Sequence, residues 1–434
     1  MVKEQKENQG KRNNKVVIGY DLGNFFSQIS YFEVGAQEPR TVSSVAGTEQ
    51  YNIPTVLCKR VGVGQWFYGK EAIKNHGEEG ILVENLVEKA LQGEEVLVED
   101  ATFDPVALLT LFVKRSLSLL TMQISMSQIE AFMFTVAELS PRMVEVLTKV
   151  VAGMQLKCNK IYFQSHIESF YYYTLKQQQE LWKNEVMVFE YNDKLRMLNF
   201  YCNRNTTPRV VLIQHMEFLE VGRYQWEQEE QLRLEQRKEL DEQFGQICAD
   251  CLEDRNVTTV YLIGDGFKEG WAKESLKILC RNRRVFQGNN LYSKGACYGV
   301  MEKQYPGEIS SDYVYLGEDK LKSNIGMKAL RHGEDSYLAI LDAGVNWYEA
   351  KTDFDVILES GNSISFVITP LTGEKIQEKS ILLDGLPERP RGTTRLRIHA
   401  EMTAVDNLSL EIVDMGFGEL FKSSGRGWSQ SIQV

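Results

Sequence analysis

"VVIGYDLGNFFSQISYF" (residues 16–32) begins as an apolar strand and then breaks around Gly19, Asp21 and Gly23. A glycine turn at a strand end lets backbone N–H groups approach an anion with no Cβ in the way. An acid beside such a turn suits Mg²⁺ held through water. Phe25 and Phe26 follow at once, where a phosphate-binding turn uses small hydroxyl residues. Taken alone, the stretch reads first as a tight strand-end turn.

Working outward, residues 15–60 alternate as strands joined by Gly- and Pro-marked turns, and residues 71–125 carry helical periodicity. Asp104-Pro105 and Ser140-Pro141 each place an N-cap before a proline at the first helical position. Apolar strands recur at 129–139, 160–166, 186–192, 194–202 and 209–215. A charged helix is expected over 224–254, with Leu232, Leu240, Phe244, Ile247 and Cys251 as its apolar stripe. "VTTVYLIGDGFKEGWAKESLKILC" (257–280) reads strand, glycine turn, helix. The alternation implies a layered α/β region. From about residue 315 only short strands and turn signals remain, which predicts an all-β sandwich of about 120 residues.

The totals narrow the function. A net charge of -11 over 434 residues repels phosphate backbones and anionic lipid, so neither nucleic acid nor a membrane surface is expected as partner. No run approaches the roughly 18 apolar residues of a membrane span. Residues 1–14 are polar, lack a signal-peptide core and are expected to be a disordered tail. Seven scattered cysteines without an export signal point to reduced thiols and a cytoplasmic location. Cys248 and Cys251 form a C-x-x-C, read as two core residues one turn apart rather than a zinc or redox pair.

Several segments, in order, resemble one family. They are "VIGYDLGNFFS" (17–27), "IPTVLCKR" (53–60) with "FYGKEAIK" (67–74), "TVAELSPRMVEVLTKVVAGMQL" (135–156), "VYLIGDGFKEG" (260–270), "NNLYSKGACYGV" (289–300) and "LLDGLPERPRGTTRLRIHAEMTAVDNLSLEIVDMGFGE" (382–419). Their colinear arrangement resembles a DnaK-type heat-shock chaperone of the actin-like ATPase superfamily. The resemblance implies an α/β actin-like, two-lobed ATPase fold with ribonuclease-H-like halves at 15–304 and a linker at 305–314. A β-sandwich resembling the chaperone peptide-binding domain would follow at 315–434. It implies ATP or ADP with Mg²⁺ as cofactor and a peptide or protein as partner, and the sequence stops at Val434 before the family's helical lid. Gly19, Asp21, Gly23 and Asn24 would form the first nucleotide-binding loop, and Gly264, Asp265 and Gly266 the adenosine motif. Asp21 and Glu190 would face the metal through water. Lys89 matches a phosphate-contacting lysine, which makes Asp21, Lys89 and Glu190 the catalytic candidates. The peptide groove would lie within 345–368.

The departures from the family converge on the chemistry. The paired hydroxyl residues of the first loop become Asn24 and Phe25, and the second loop becomes Asn192, Asp193, Lys194 and Leu195. Ser165 stands where the family has its catalytic glutamate, and a serine cannot take a proton from water as a carboxylate does. Glu168, one turn later, reads as a surface or packing residue. About 60 residues separate the strands at 202 and 261, so the second lobe's small subdomain is expected to be reduced and replaced by the long helix. The expectation is a degenerate, non-hydrolysing cleft. An active chaperone with rewired loops and an actin-like assembly protein are the alternatives. The aromatics Trp347, Tyr348, Phe354, Phe366, Phe417 and Trp428 read as sandwich core before groove.

Overall fold

The computed structural model describes residues 15–434, apart from positions 46, 78, 157, 159, 206–207, 223–227, 289, 308–310, 318, 332 and 372–374. The tail expected at 1–14, the middle of the linker expected at 305–314 and the first residues of the helix expected from 224 lie outside the described residues. The chain is 28% helix and 42% strand and divides between Val314 and Tyr315 into two compact units.

The first unit holds two large sheets with one strand order. In the first sheet, Val16–Leu22 runs parallel to Ile129–Val136, which runs parallel to Ile161–Ser165. On its other side lie the antiparallel strands Phe26–Glu33 and Arg40–Thr41. In the second sheet, Glu185–Tyr191 runs parallel to Val257–Ile263, then Arg284–Gln287. Lys194–Asn203 and Arg209–Gly222 extend its other side in antiparallel fashion. The parallel pairs need helical crossovers, supplied by Pro141–Met154 and Lys273–Leu279. The Ser140 hydroxyl caps the first of these by accepting from Met143 N, with Pro141 at the first position. Val16–Leu22 is buried along its whole length, which accounts for its unbroken apolar run.

Between its third and fourth strands the first half inserts a small sheet of Leu57–Arg60, Trp66–Tyr68 and Gly80–Val83, followed by helices. At the same place the second half carries the helix Glu230–Leu252. Leu240, Phe244, Ile247, Cys248 and Cys251 pack it against Met187, Phe189, Leu262 and Trp271. Leu232, expected in that stripe, is instead exposed. Burial pushes the Cys251 thiol up to about 11 and Cys248 further, so both behave as core residues.

The helix Leu291–Gln304 follows the strand Arg284–Gln287 of the second sheet in sequence but packs on the first. Its Ala296, Cys297, Tyr298 and Val300 cover Val17, Phe32, Ala131 and Met133. Gly19 permits this approach, since a Cβ there would sit 2.2 Å from Ser293 O and 2.7 Å from Cys297 N. The stretch Pro105–Met122 corrects the expectation about apolar runs. It has mean hydropathy 1.4 over 18 residues, enough by length and composition to cross a membrane, yet half of it is buried inside the unit.

The second unit consists of two antiparallel four-stranded sheets. One has the order Glu334–Leu341, Ser323–Arg331, Ser363–Pro370, Gln377–Leu382; the other Lys351–Leu358, Thr394–Ala404, Asn407–Gly416, Gly427–Gln433. Alternation drives burial here: Leu396, Ile398, Ala400 and Met402 point inward while their neighbours are exposed or half-buried. Of the aromatics read as core, Trp347 and Phe366 are buried; Phe417 is 43% exposed, and Tyr348, Phe354 and Trp428 are half-buried. The end of the expected linker is also fixed in the first unit. Arg209 Nη1 donates to the Tyr313 hydroxyl at 2.7 Å, and Tyr313 meets Trp182 edge-on.

Candidate functional site

Identical strand order puts Asp21 and Glu190 at matching places, each near the C-terminal end of its sheet's first strand. Both line one cavity of about 310 Å³, at the lower end of the roughly 300–1,000 Å³ of ligand pockets. Gly23, Asn24, Asn192, Asp193 and Gly264 line it too. Gly19, Lys89, Ser165, Asp265 and Gly266 stand outside that lining. Gly19 serves helix packing, and Lys89 is half-buried on the helix Leu86–Gln92. Ser165 caps the helix His166–Leu175 by accepting from Glu168 N at 3.2 Å. Glu168 itself is fully buried.

The cleft is bridged by two side chains that the motif reading passed over. His166 opens the helix after the strand Ile161–Ser165, and its Nε2 lies 2.8 Å from Asp21 Oδ1. Its ring stacks on Tyr292 at 3.9 Å between centroids and 11° between planes. The Tyr292 hydroxyl donates to Glu190 Oε2 at 2.9 Å, and Asn192 Nδ2 donates to Glu190 Oε1 at 2.9 Å. Burial first, and then the Glu190 carboxylate, hold the Tyr292 phenol well above its ordinary 10. An unbroken chain of contacts therefore runs from Asp21 in the first sheet to Glu190 in the second. His166 and Tyr292 had one sequence signal: His166 follows Ser165, the position aligned with the family's catalytic glutamate, and Tyr292 lies inside the matching segment 289–300.

The remaining loops are also occupied from within. Asn24 Nδ2 donates to Asn85 Oδ1 at 3.2 Å, and its Oδ1 accepts Glu88 N at 3.3 Å. Gly264 has φ +100°, where a Cβ would strike Tyr191 O at 2.3 Å, and Gly266 lies against the Tyr191 ring. Asp265 Oδ1 accepts Asn52 Nδ2 at 2.6 Å and pairs with Lys268 Nζ at 2.7 Å. These glycines serve backbone packing.

The lining carries the carboxylates of Asp21, Glu88, Glu190 and Asp193 against one guanidinium, Arg196, which pairs with Glu217 at 2.8 Å. A nucleotide with Mg²⁺ does not fit this donor set. The guanidinium of the lining is paired with Glu217, and a polyphosphate would add charge of the sign already in excess. Among the described residues, no three His, Cys, Asp or Glu side chains gather as a metal group.

The second unit has its own cavity, of about 840 Å³, lined from the hairpin Ser323–Leu341 and from Asp355–Ser365. Part of the segment 345–368 thus borders it. Leu330, Leu338 and Ile357 line it while 52%, 37% and 55% exposed. Lys351–Leu358, which supplies one wall, is an edge strand.

Residues 38–318 match the profile of a family of unknown function, DUF5716, C-terminal part. Because that match spans well over half of the sequence, the chain belongs to this family. Residues 320–434 match a domain of unknown function, DUF8552, so the two profiles divide the chain close to where its compact units divide. No curated protein matches the chain.

Proposed function

We propose that this protein is a chaperone-like interaction scaffold of actin-like architecture whose nucleotide cleft no longer hydrolyses ATP. Its all-β unit, read as a sandwich, takes an extended apolar peptide or protein segment. The observation that carries the reading is the occupation of Asp21 and Glu190 by His166, Tyr292 and Asn192. In an ATPase of this architecture those acids would attend metal and phosphate. The repeated strand order of the two sheets supports the actin-like assignment. Support for peptide capture comes from exposed Leu330, Leu338 and Ile357 beside an edge strand, where main-chain pairing and apolar pockets recognise extended segments. Seven free thiols favour a cytoplasmic setting.

The test has two arms on the full chain. Calorimetric titration with Mg-ATP and Mg-ADP, run beside a phosphate-release assay, is expected to give neither saturable heat nor release above background; single-site binding with turnover refutes the pseudo-ATPase reading. A fluorescent Leu/Val-rich heptapeptide is expected to bind with fast exchange and to lose affinity in Val356→Asp, a substitution in the lining of the larger cavity. Equal binding by that variant refutes the groove.

A further inference from the structure

We infer that the cleft between Asp21 and Glu190 binds an organic cation rich in N–H donors, a guanidinium or a primary ammonium group. The reasoning starts from a side chain with no catalytic motif around it. Gln28 lies directly across the strand pair from Asp21, so both side chains share one face, and both line the cleft. Gln28 is only 5% exposed, and its Oε1 is buried with no hydrogen-bond partner. A buried acceptor left unmatched loses the hydrogen bonds it made to water, and a ligand that supplies a donor restores them.

The orientation of that amide is set by its neighbours. Asp265 bonds to Asn52 through an oxygen that the Lys268 pair keeps as an acceptor, so Asn52 must present its Nδ2 there. Asn52 Oδ1 then faces Gln28 and requires Nε2, at 2.5 Å. Flipping Gln28 would set oxygen against oxygen. Its Oε1 is therefore left as an unmatched buried acceptor on a side chain that lines the cleft opposite Asp21. Asp21 is itself nine-tenths buried, and its side-chain hydrogen bond to His166 uses Oδ1.

The rest of the lining points to the same ligand chemistry. Four carboxylates outnumber the one guanidinium, which Glu217 already holds. Phe25, Phe26 and Tyr292 supply aromatic walls of the kind that favour cations. The Gln28 oxygen and the four carboxylates call for N–H donors, and an anionic ligand brings none. The inference shares only the cleft with the function proposed above and does not depend on peptide binding by the β unit.

The experiment titrates the full chain with argininamide and with spermidine, by calorimetry and thermal shift, with tetramethylammonium and Mg-ATP as comparators. Millimolar argininamide or spermidine is expected to bind saturably and raise the melting temperature. Tetramethylammonium, a cation without N–H groups, is expected to do neither. Asp21→Asn is expected to weaken binding at least about tenfold, as loss of a charged hydrogen-bond acceptor does. Gln28→Leu, which leaves the Asp21–His166 contact alone, is expected to weaken it about threefold to tenfold. No binding of either amine, an equal response to tetramethylammonium, or unchanged affinity in Gln28→Leu overturns the inference. Failure of both amines with Mg-ATP also silent overturns this inference alone, whereas saturable Mg-ATP binding with phosphate release overturns it together with the pseudo-ATPase reading.

Discussion

Replacing Gly19 by alanine separates architecture from phosphate chemistry. The added Cβ would lie 2.2 Å from Ser293 O, 2.7 Å from Cys297 N and 3.0 Å from Ala296 Cβ. Two of these are backbone atoms of the helix Leu291–Gln304, so no side-chain rotation relieves the clash. The helix must lift by about 1 Å to restore ordinary contact, loosening Ala296, Cys297 and Val300 from Val17, Ala131 and Met133. Overpacking of this kind costs about 1–3 kcal/mol and sometimes more. Alanine recovers about 0.4–1 kcal/mol by restricting the unfolded chain. A net loss of about 1–2 kcal/mol remains, equivalent to a fall in melting temperature of about 2–4 °C at roughly 2 °C per kcal/mol for a unit of this size. Differential scanning calorimetry of Gly19→Ala beside Gly64→Ala, whose Cβ meets nothing within 4 Å, measures the difference. If Gly19→Ala melts with the wild type, the packing role assigned to Gly19 is wrong.

Tyr292→Phe keeps the stack on His166 but removes the donor to Glu190, and is expected to cost about 1.5–3 kcal/mol in urea unfolding; an unchanged midpoint would show that the bridge contributes nothing. In the second unit Arg389 grips Asp414 with two bonds of 2.7 Å, and Asp414 also accepts Gly416 N and Ser424 N. The Arg389 bonds hold the Asp414 carboxyl well below its ordinary 3.8. Its contribution is therefore complete above pH 3.8 and declines as the pH falls from there toward the depressed value. Asp414→Asn should cost about 3–5 kcal/mol at neutral pH and remove that acid-limb dependence, as followed by circular dichroism. Thiol titration under native conditions should find exposed Cys280 reacting first and Cys248 and Cys251 only after unfolding; rapid modification of either buried thiol contradicts their place in the core.

The strand pattern was readable because buried parallel strands leave long apolar runs, as in Val16–Leu22, and capped crossovers leave Ser-Pro and Asp-Pro pairs. Asp21 could be picked out because it ends such a run between two glycines, and Glu190 because the family resemblance aligns its segment with a second loop. The rest of the site depends on distance through the fold. His166 meets Asp21 across 145 positions and Tyr292 meets Glu190 across 102. No local periodicity records such pairings. Glycine was the most ambiguous letter: the absence of a Cβ serves a ligand, a helix backbone or a positive φ equally well. Gly19 belongs to the second case and Gly264 to the third. Leu232 misled for another reason: an apolar residue on a helix is drawn inward only where a partner surface extends that far.

Because Leu291–Gln304 is the cover of the first sheet, the order of synthesis has a consequence. Val17, Phe32, Ala131 and Met133 are all made by the end of the strand Ile129–Val136, but the helix that shields them arrives roughly 170 residues later. At about 5–20 residues per second the ribosome takes roughly 10–30 seconds over that interval. During that time an apolar sheet face stands open on the nascent chain, so the first half of this protein is itself a client for whatever holds unfinished chains apart.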